Sequence, residues 1–474
     1  HEVTERSPEK KSLLLFYRFM NAIRLAIYCL LLGHSSLHSA PPPNVVIFLV
    51  DDMGWGDLGC YGNEIIQSPH LDKFATEGIR FTQCYSACGV CSPSRSSILT
   101  GRTPYRNGVW RWIPGGHSCH LRESEITFPE LLREKGYDTC HVGKWHLNGH
   151  FNSTKQPQPD DHGYNHWMAT QNNAAPSHKN PKNFVLNGEP MGLLEGYAAP
   201  LVAQEGVRWL KEVRDRDKPF LLSVWTHEPH LPIESAEEFM EPYLNIKDEG
   251  IRQHHGNITQ LDHAFGIVMK ALDKLGLQDN TIVFFTSDNG PEGKGNKGRT
   301  RGSTGGLRGR KRDSHEGGIR VAGMVRWPDK IMPGSVSDVP VIGSDIFSTV
   351  LDVTGIPLPD DRTIDGVSMV PAFDDNPVKR PVPLFWRNHI APATSHAALR
   401  IGDWKLISNV SFDTFQLYQI QTDWKEEHNL ASEKPEKLEE MKETFFKVLK
   451  GIEAEGPLDW VGQYGQRRAT EKSN

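Results

Sequence analysis

The chain has 474 residues, enough for a large core and for more than one structural unit. Its formal net charge is only −6 and its pI is near 6.4, which excludes a polycation that coats nucleic acid or a membrane surface. A hydrophobic fraction of 37% with 12 tryptophans excludes a disordered chain.

Residues 1–40 read as an N-terminal extension followed by an export signal. The stretch that begins at Met20, "MNAIRLAIYCLLLGHSSLHSA", has a cation at Arg24, an apolar run from Leu25 to Gly33 and small residues at Ser39 and Ala40. The run is too short to span a bilayer comfortably, and nothing downstream is longer and as apolar. The expectation is cleavage near Pro41, export (periplasmic, secreted or lysosomal) and no stable membrane span; an N-terminal anchor is the alternative. Cys29 leaves with the signal. Cys60, Cys84, Cys88, Cys91, Cys119 and Cys140 then enter an oxidising compartment, where spacing alone does not assign pairs. No His–Cys partner set at zinc spacing follows the 84-88-91 group.

The next element, "NVVIFLV" at 44–50, is a continuous apolar run and reads as a strand buried on both faces. It ends in Asp51-Asp52. "YDTCHV" (137–142) leads into Lys144 and His146, "FLLSVW" (220–225) into His227 and His230, and "TIVFFTS" (281–287) into Asp288-Asn289. Helical patterns at 68–77, 128–135, 199–213 and 260–275 alternate with these strands. The expected fold class is therefore α/β, a sheet with helices on both faces, with ligands beyond the carboxyl ends of the strands.

Residues 148–198 read as a long decorated loop. Residues 290–312 are Gly-rich and basic, with eight Lys/Arg and no acid from Lys294 to Arg312. Beyond about 375 the texture changes: 398–409 and 415–422 read as antiparallel strands, and 434–455 as an amphipathic helix. The expected division is a catalytic domain over 41–374 and a smaller α+β unit over 375–474.

Asp51, Asp52, Asp288 and Asn289 are hard oxygen ligands at two strand ends and suit Ca²⁺ or Mg²⁺; each pair alone is also a plain turn signal. "CSPSRSSILTG" (91–101) reads as a helix start with Ser92 as the cap and Pro93 in the first turn. Such a helix start favours an anion beside Cys91, and Arg95 adds a guanidinium one turn on. A half-cystine at Cys91 is the plain alternative. Lys144 suits an oxyanion, and His146, His227 and His230 suit proton transfer or a structural role. Lys311 ends the basic loop, where a solvated charge is the commoner reading.

These stretches resemble the type I sulfatases of the alkaline-phosphatase-like superfamily, in the flavour of the arylsulfatase A and N-acetylgalactosamine-6-sulfatase group. "CSPSRSSILTG" is similar to that family's first signature and "GYDTCHVGKWHLNG" (136–149) to its second, with Asn148 where glycine usually stands. "NVVIFLVDDMGWGDLGCYG", "TSDNG" and the K-x4-E-G-G-x-R run from Lys311 to Arg320 match as well. The resemblance implies a large mixed, mostly parallel sheet sandwiched by helices, with a smaller C-terminal antiparallel sheet plus helix. It implies sulfate ester hydrolysis with one Ca²⁺ held by Asp51, Asp52, Asp288, Asn289 and residue 91, and with Cys91 converted to Cα-formylglycine by the formylglycine-generating enzyme. It implies charge neutralisation by Lys144 and Lys311 and a hydrate held by Arg95. Protonation of the leaving oxygen would fall to His227 or His230, and proton removal to His146. The polar loops, the basic run and exposed tryptophan candidates at 110, 112 and 167 suit a sulfated carbohydrate. An aryl sulfate, a phosphomonoester or phosphonate hydrolase and a non-catalytic glycan binder are the competing readings.

Overall fold

The computed structural model describes residues 41–293 and 301–456. The expected export signal and part of the basic loop, 294–300, lie outside the described residues. The four strands read from the sequence are adjacent and mutually parallel: β1 (Asn44–Val50) lies between β7 (Phe220–Trp225) and β8 (Thr281–Ser287), and β3 (Asp138–Lys144) lies on the far side of β7. β1 is buried on both faces. Val45, Ile47 and Leu49 enter one apolar cluster, and Val46, Phe48 and Val50 enter another. At about 1.5–3 kcal/mol per buried aliphatic or aromatic side chain, both layers gain from this one strand.

Register sets the height of the strand ends. Val50 is paired with Ser287, Leu49 with Trp225, and Trp225 with Gly143. Asp51, Asp288, Thr226 and Lys144 therefore emerge at one edge. The ladder continues past the strands, with Asp288 N donating to Val50 O at 3.1 Å and Thr226 N to Leu49 O at 2.9 Å. Gly143 has φ +111°, and a Cβ there would lie 1.9 Å from Trp225 O, so only glycine lets β3 approach β7 this closely.

Other strands extend the sheet: β2 (Ile79–Tyr85), β4 (His166–Thr170), β5 (Val185–Leu186), β6 (Glu189–Pro190), β9 (Arg320–Arg326), β10 (Ser335–Ser337) and β11 (Val341–Ile342). β9 runs antiparallel to both β8 and β2, which makes the sheet mixed. Residues 148–198 are thus not one decorated loop. The fully buried β4 pairs in parallel with β3, and β5 and β6 follow it at the sheet edge. The helix expected at 260–275 runs from Glu249 to Lys274, started by Asp248, whose carboxylate accepts from Ile251 N. Its first half escapes a hydropathy pattern because polar residues, His254, His255 and Asn257, fill its buried face.

The C-terminal sheet is antiparallel, in the order β12 (Leu384–Arg387), β13 (Ala397–Ile401), β14 (Trp404–Ser408), β15 (Phe415–Gln419), and the helix Pro435–Glu455 packs on it through Met441, Phe445 and Leu449. β12 is an additional strand beyond the two stretches read from the sequence. An ion cluster ties this sheet to the K-x4-E-G-G-x-R segment: Lys405 Nζ lies 2.8 Å from both Glu316 Oε1 and Glu426 Oε1, all fully buried. Burial raises the Glu316 pKa, but Lys405, Arg320 and Arg400 outweigh it and bring the carboxyl to about 2. Burial and the neighbouring Glu316 charge push Glu426 upward, against Lys405.

Lys405→Met strands these two carboxylates without their ammonium partner. A loss of about 3–5 kcal/mol is expected for breaking such a buried pair. Urea denaturation of the variant beside the parent measures it, and a change under about 1 kcal/mol would place the cluster among marginal surface pairs.

Candidate active site

The strand edge collects acids and cations in equal number. Asp51, Asp52 and Asp288 are each fully buried, as are Arg95 and Lys144, and Lys311 is 8% exposed. Lys144 Nζ donates to Asp51 Oδ2 at 2.5 Å, and Lys311 Nζ lies 2.6 Å from Asp52 Oδ1. Burial raises the Asp51 pKa, but the charges of Lys144, Arg95 and Lys311 outweigh it and hold the carboxyl well below the usual range. Asp288 goes the other way: burial and the Asp51 charge push it up to about 7, against Arg95 and Lys144. Asn289 Nδ2 donates to Asp52 Oδ1 at 2.6 Å. Asp52 and His146 take positive φ values of 66° and 57°. Such strain in non-glycine residues concentrates at working sites.

Cys91 is the first residue of the helix Cys91–Thr100, whose every residue is buried. The cap position is Val90, so Ser92 is not the cap. Its hydroxyl instead accepts from Ile113 N at 3.1 Å, and Ser94 Oγ accepts from Cys88 N and donates to Cys88 O. These bonds fix the turn that points Cys91 at the acids. Arg95, one turn along, donates through Nε and Nη2 to Asp288 Oδ2 at 2.9 and 2.7 Å and through Nη1 to Lys144 O at 2.9 Å. Its guanidinium carbon lies 5.4 Å from the Trp225 ring centroid. All six cysteines among the described residues are free, so Cys91 is not half of a disulfide. Burial pushes its thiol pKa up, only partly opposed by Lys144 and Lys311.

In each of the three histidines one nitrogen is fixed by a hydrogen bond; the other is left bare in His146 and His227 and faces Asp52 in His230. His146 Nε2 donates to Ile113 O at 2.9 Å, which leaves Nδ1 buried without a partner. His227 Nε2 meets Thr170 Oγ1 at 2.8 Å. That hydroxyl already donates to Asn172 O at 2.6 Å, so the histidine is the donor and its Nδ1 is bare and buried. His230 Nδ1 donates to Leu231 O at 2.6 Å, and its Nε2 lies 3.6 Å from Asp52 Oδ2. Burial lowers the pKa of all three, with Lys144 next in effect at His146, His178 at His227 and Lys311 at His230, which reaches about 4. Each is a neutral ring with one lone pair to offer.

A hard divalent cation fits this donor set. Asp51 Oδ1 and Asn289 Oδ1 are buried oxygens without a hydrogen-bond partner. Ligand atoms of Asp51, Cys91 and Asp288 lie within 4.8 Å of one another, and so do those of Asp51, Asp52 and His230. Carboxylate and amide oxygens in this number suit Ca²⁺ or Mg²⁺. A third group, Asp423, Glu427 and His428, follows β15 in the chain.

All eleven residues singled out from the sequence thus fall on this edge or on the loop that carries Lys311. Thr170, which fixes the His227 tautomer, and Trp225, which lies under Arg95, had no signal of their own. Glu292 belongs here too: its carboxylate pairs with Arg312 and lies 3.9 Å from Lys311 Nζ. Two tryptophans offered as sugar platforms are core residues instead. Trp110 is 5% exposed and joins the C-terminal apolar cluster, and Trp167 is 4% exposed and packs edge-on against Phe151.

Comparison with known proteins gives the family and the fold. The family described as Sulfatase matches residues 43–356, and that described as N-sulphoglucosamine sulphohydrolase, C-terminal, matches 309–454. The chain is 34% identical over 377 residues to N-acetylgalactosamine-6-sulfatase of Canis lupus familiaris, covering 74% of this chain and 69% of that protein. It is 30% identical over 416 residues to steryl-sulfatase of Homo sapiens, covering 72% and 71%. Among solved structures it is similar to Ps i-CgsB, with a TM-score of 0.78, 26% identity and coverage of 88% of this chain and 94% of that one. The PsFucS1 sulfatase of Pseudoalteromonas sp. shares the fold, with a TM-score of 0.74 and 22% identity over 95% and 96% of the two chains.

Chelator-treated protein should gain thermal stability when Ca²⁺ is added, by about 2.7 kcal/mol at a hundredfold excess over Kd. Asn289→Leu, which removes one of the two unpartnered oxygens, should weaken or abolish the gain. Differential scanning calorimetry measures both, and an unshifted wild-type Tm would contradict the cation reading.

Proposed function

The chain belongs to the sulfatase family and hydrolyses sulfate esters, and from that premise we propose that residue 91 is its reaction centre and a sulfated carbohydrate its substrate. The observation that carries this reading is the placement of Cys91 at a helix start, within 4.8 Å of Asp51 and Asp288. An unmodified cysteine there is a neutral thiol, because burial raises its pKa. Conversion of the thiol to formylglycine by the formylglycine-generating enzyme would supply, in the hydrated aldehyde, a hydroxyl nucleophile and a second hydroxyl through which sulfate is released. A Ca²⁺ held by Asp51, Asp52, Asp288 and Asn289 would supply charge neutralisation at the sulfuryl oxygens.

The remaining roles belong to the chain's own side chains. Lys144 and Lys311, each already bound to a carboxylate of the edge, are held where a sulfuryl oxygen would approach residue 91. Arg95 is a positioning residue that fixes Asp288 and the end of β3. His146 offers a bare Nδ1 to take a proton from residue 91. Protonation of the leaving oxygen falls to His227 or His230, each neutral at rest, so its second nitrogen must take up a proton before it can deliver one; His227 Nδ1 is buried without a partner, and His230 Nε2 lies 3.6 Å from Asp52 Oδ2 on a side chain that is 17% exposed.

The carbohydrate reading draws support from the relatives. N-acetylgalactosamine-6-sulfatase is named for a sulfated sugar, and Ps i-CgsB has been solved with k-i-k-neocarrahexaose. The steryl-sulfatase relatives favour a second reading, a small aryl or steryl sulfate. We further propose that the chain is exported, which the N-terminal sequence supports; among the described residues no helix is long and apolar enough to cross a membrane.

Free sulfate released from a panel of sulfated galactans, chondroitin and heparan oligosaccharides and 4-nitrophenyl sulfate tests the substrate. Release from one glycan, abolished by Cys91→Ala, is the expected result; turnover of 4-nitrophenyl sulfate alone would favour the small-substrate reading, and dominant turnover of an aryl phosphate would overturn both. Replacing the acid with alanine should cut kcat about 10²–10⁴-fold on a sugar sulfate. On 4-nitrophenyl sulfate, whose leaving group needs no proton, the same change should matter little. His227→Ala and His230→Ala, compared on both substrates, identify the acid by which shows that split; no split in either would remove both from the role.

A further inference from the structure

Beside Lys311 lies an open pocket of about 690 Å³, walled by Arg308, Arg310, Lys311, Arg312 and Asp313 and bordered by Ile390. Its charges are not balanced. Arg312 is matched by the Glu292 carboxylate, while Asp313, held by His315 and by Ser395 Oγ, keeps one negative charge in a wall of four cations. Among the described residues neither Arg308 nor Arg310 has a carboxylate at ion-pair distance; the Asp57 and Glu292 carboxylates act on Arg310 from farther away and offset its charge in part. Exposed Arg308 makes its two bonds through Nη1 alone, to Tyr418 Oη at 3.0 Å and Glu426 O at 2.9 Å. Arg310 donates to two carbonyl oxygens, Glu292 O at 2.8 Å and Gly302 O at 2.5 Å.

Neutral oxygens hold a guanidinium in place without cancelling its charge, and a planar charge held in this way is prepared for an oxyanion. The wall is anchored as well. Arg312 has φ +79°, its N–H donates to Gly89 O at 2.7 Å, and its carbonyl accepts from Asn388 Nδ2 at 2.9 Å. Gly89 lies two residues before Cys91, and Lys311 reaches from the pocket wall to Asp52. The pocket therefore adjoins the site where the ester would be cut.

We propose that this pocket is a second anion subsite, in which Arg308 and Arg310 bind another anionic group, a sulfate or a uronate carboxylate, on the same oligosaccharide whose sulfate lies at residue 91. The proposal rests on the sulfated-carbohydrate reading and narrows it to polyanionic glycans. It also gives a role to the described part of the basic loop beyond Lys311.

Binding to Cys91→Ala protein tests the subsite without turnover. Three oligosaccharides of one length serve as probes: monosulfated and otherwise neutral, disulfated, and monosulfated with one uronate. Isothermal titration should show at least one dianionic probe bound about tenfold more tightly than the monosulfated one, with the advantage shrinking at high salt. Which of the two gains identifies the second anion. Adding Arg308→Gln and Arg310→Gln should erase the advantage. Equal affinity for all three probes, or an advantage that survives both substitutions, overturns the proposal. Should the double variant lose its thermal transition, Arg308→Gln alone decides, because that side chain is exposed. Sulfate release by unmutated protein is scored separately: its failure beside intact, arginine-dependent selectivity overturns the catalytic reading and leaves the subsite standing.

Discussion

A guanidinium that is fully buried must find every partner inside the protein, and the partners of Arg95 are the site itself. Its donors reach Asp288 at the end of β8 and the Lys144 carbonyl at the end of β3, and its face lies over Trp225 at the end of β7. It stands one turn from Cys91 on the same helix. One side chain thereby fixes the height of the helix start against three parallel strands. A lysine would keep the charge and lose the fork and the flat face. Breaking such a buried pair leaves a carboxylate uncompensated, which costs more than the pair contributes.

Charge balance on the same edge explains what it can bind. Three buried carboxylates face three buried cations. A divalent cation bound to that set would leave an excess of positive charge in a dry setting, where a sulfate ester anion is stabilised more than in water. The histidines add no charge of their own, since burial keeps them neutral. Each is held in one tautomer by a fixed acceptor, so its other nitrogen is defined before any substrate arrives. The C-terminal sheet takes part through Lys405, whose contact with Glu316 anchors the segment that delivers Lys311.

How much of this could be read in the sequence depended on whether the signal was local. β1, β3, β7 and β8 were legible because a strand buried on both faces is a continuous apolar run. Their polar ends were legible because chemistry follows each run directly. β9 and β4 were not, since their identity as strands comes from pairing with β8 and β3, residues far away in the chain. The start of the long helix was hidden because His254, His255 and Asn257 bury polar groups where a pattern expects apolar ones. Trp110 and Trp167 were misjudged for a related reason: polar neighbours in sequence say little about which side of a core a ring enters. The tautomers of His146, His227 and His230 rest on Ile113, Thr170 and Leu231, and for Ile113 and Leu231 the contact is a backbone carbonyl that no side-chain pattern encodes.

The account stands or falls on residue 91 as the reaction centre. The most direct test is to prepare the protein with different fractions of residue 91 in the aldehyde form, measured by peptide mass spectrometry, and to record sulfate release by each preparation on its best substrate. The account predicts activity proportional to the aldehyde fraction, with a line through the origin. Undiminished activity in protein whose residue 91 is wholly thiol would contradict it.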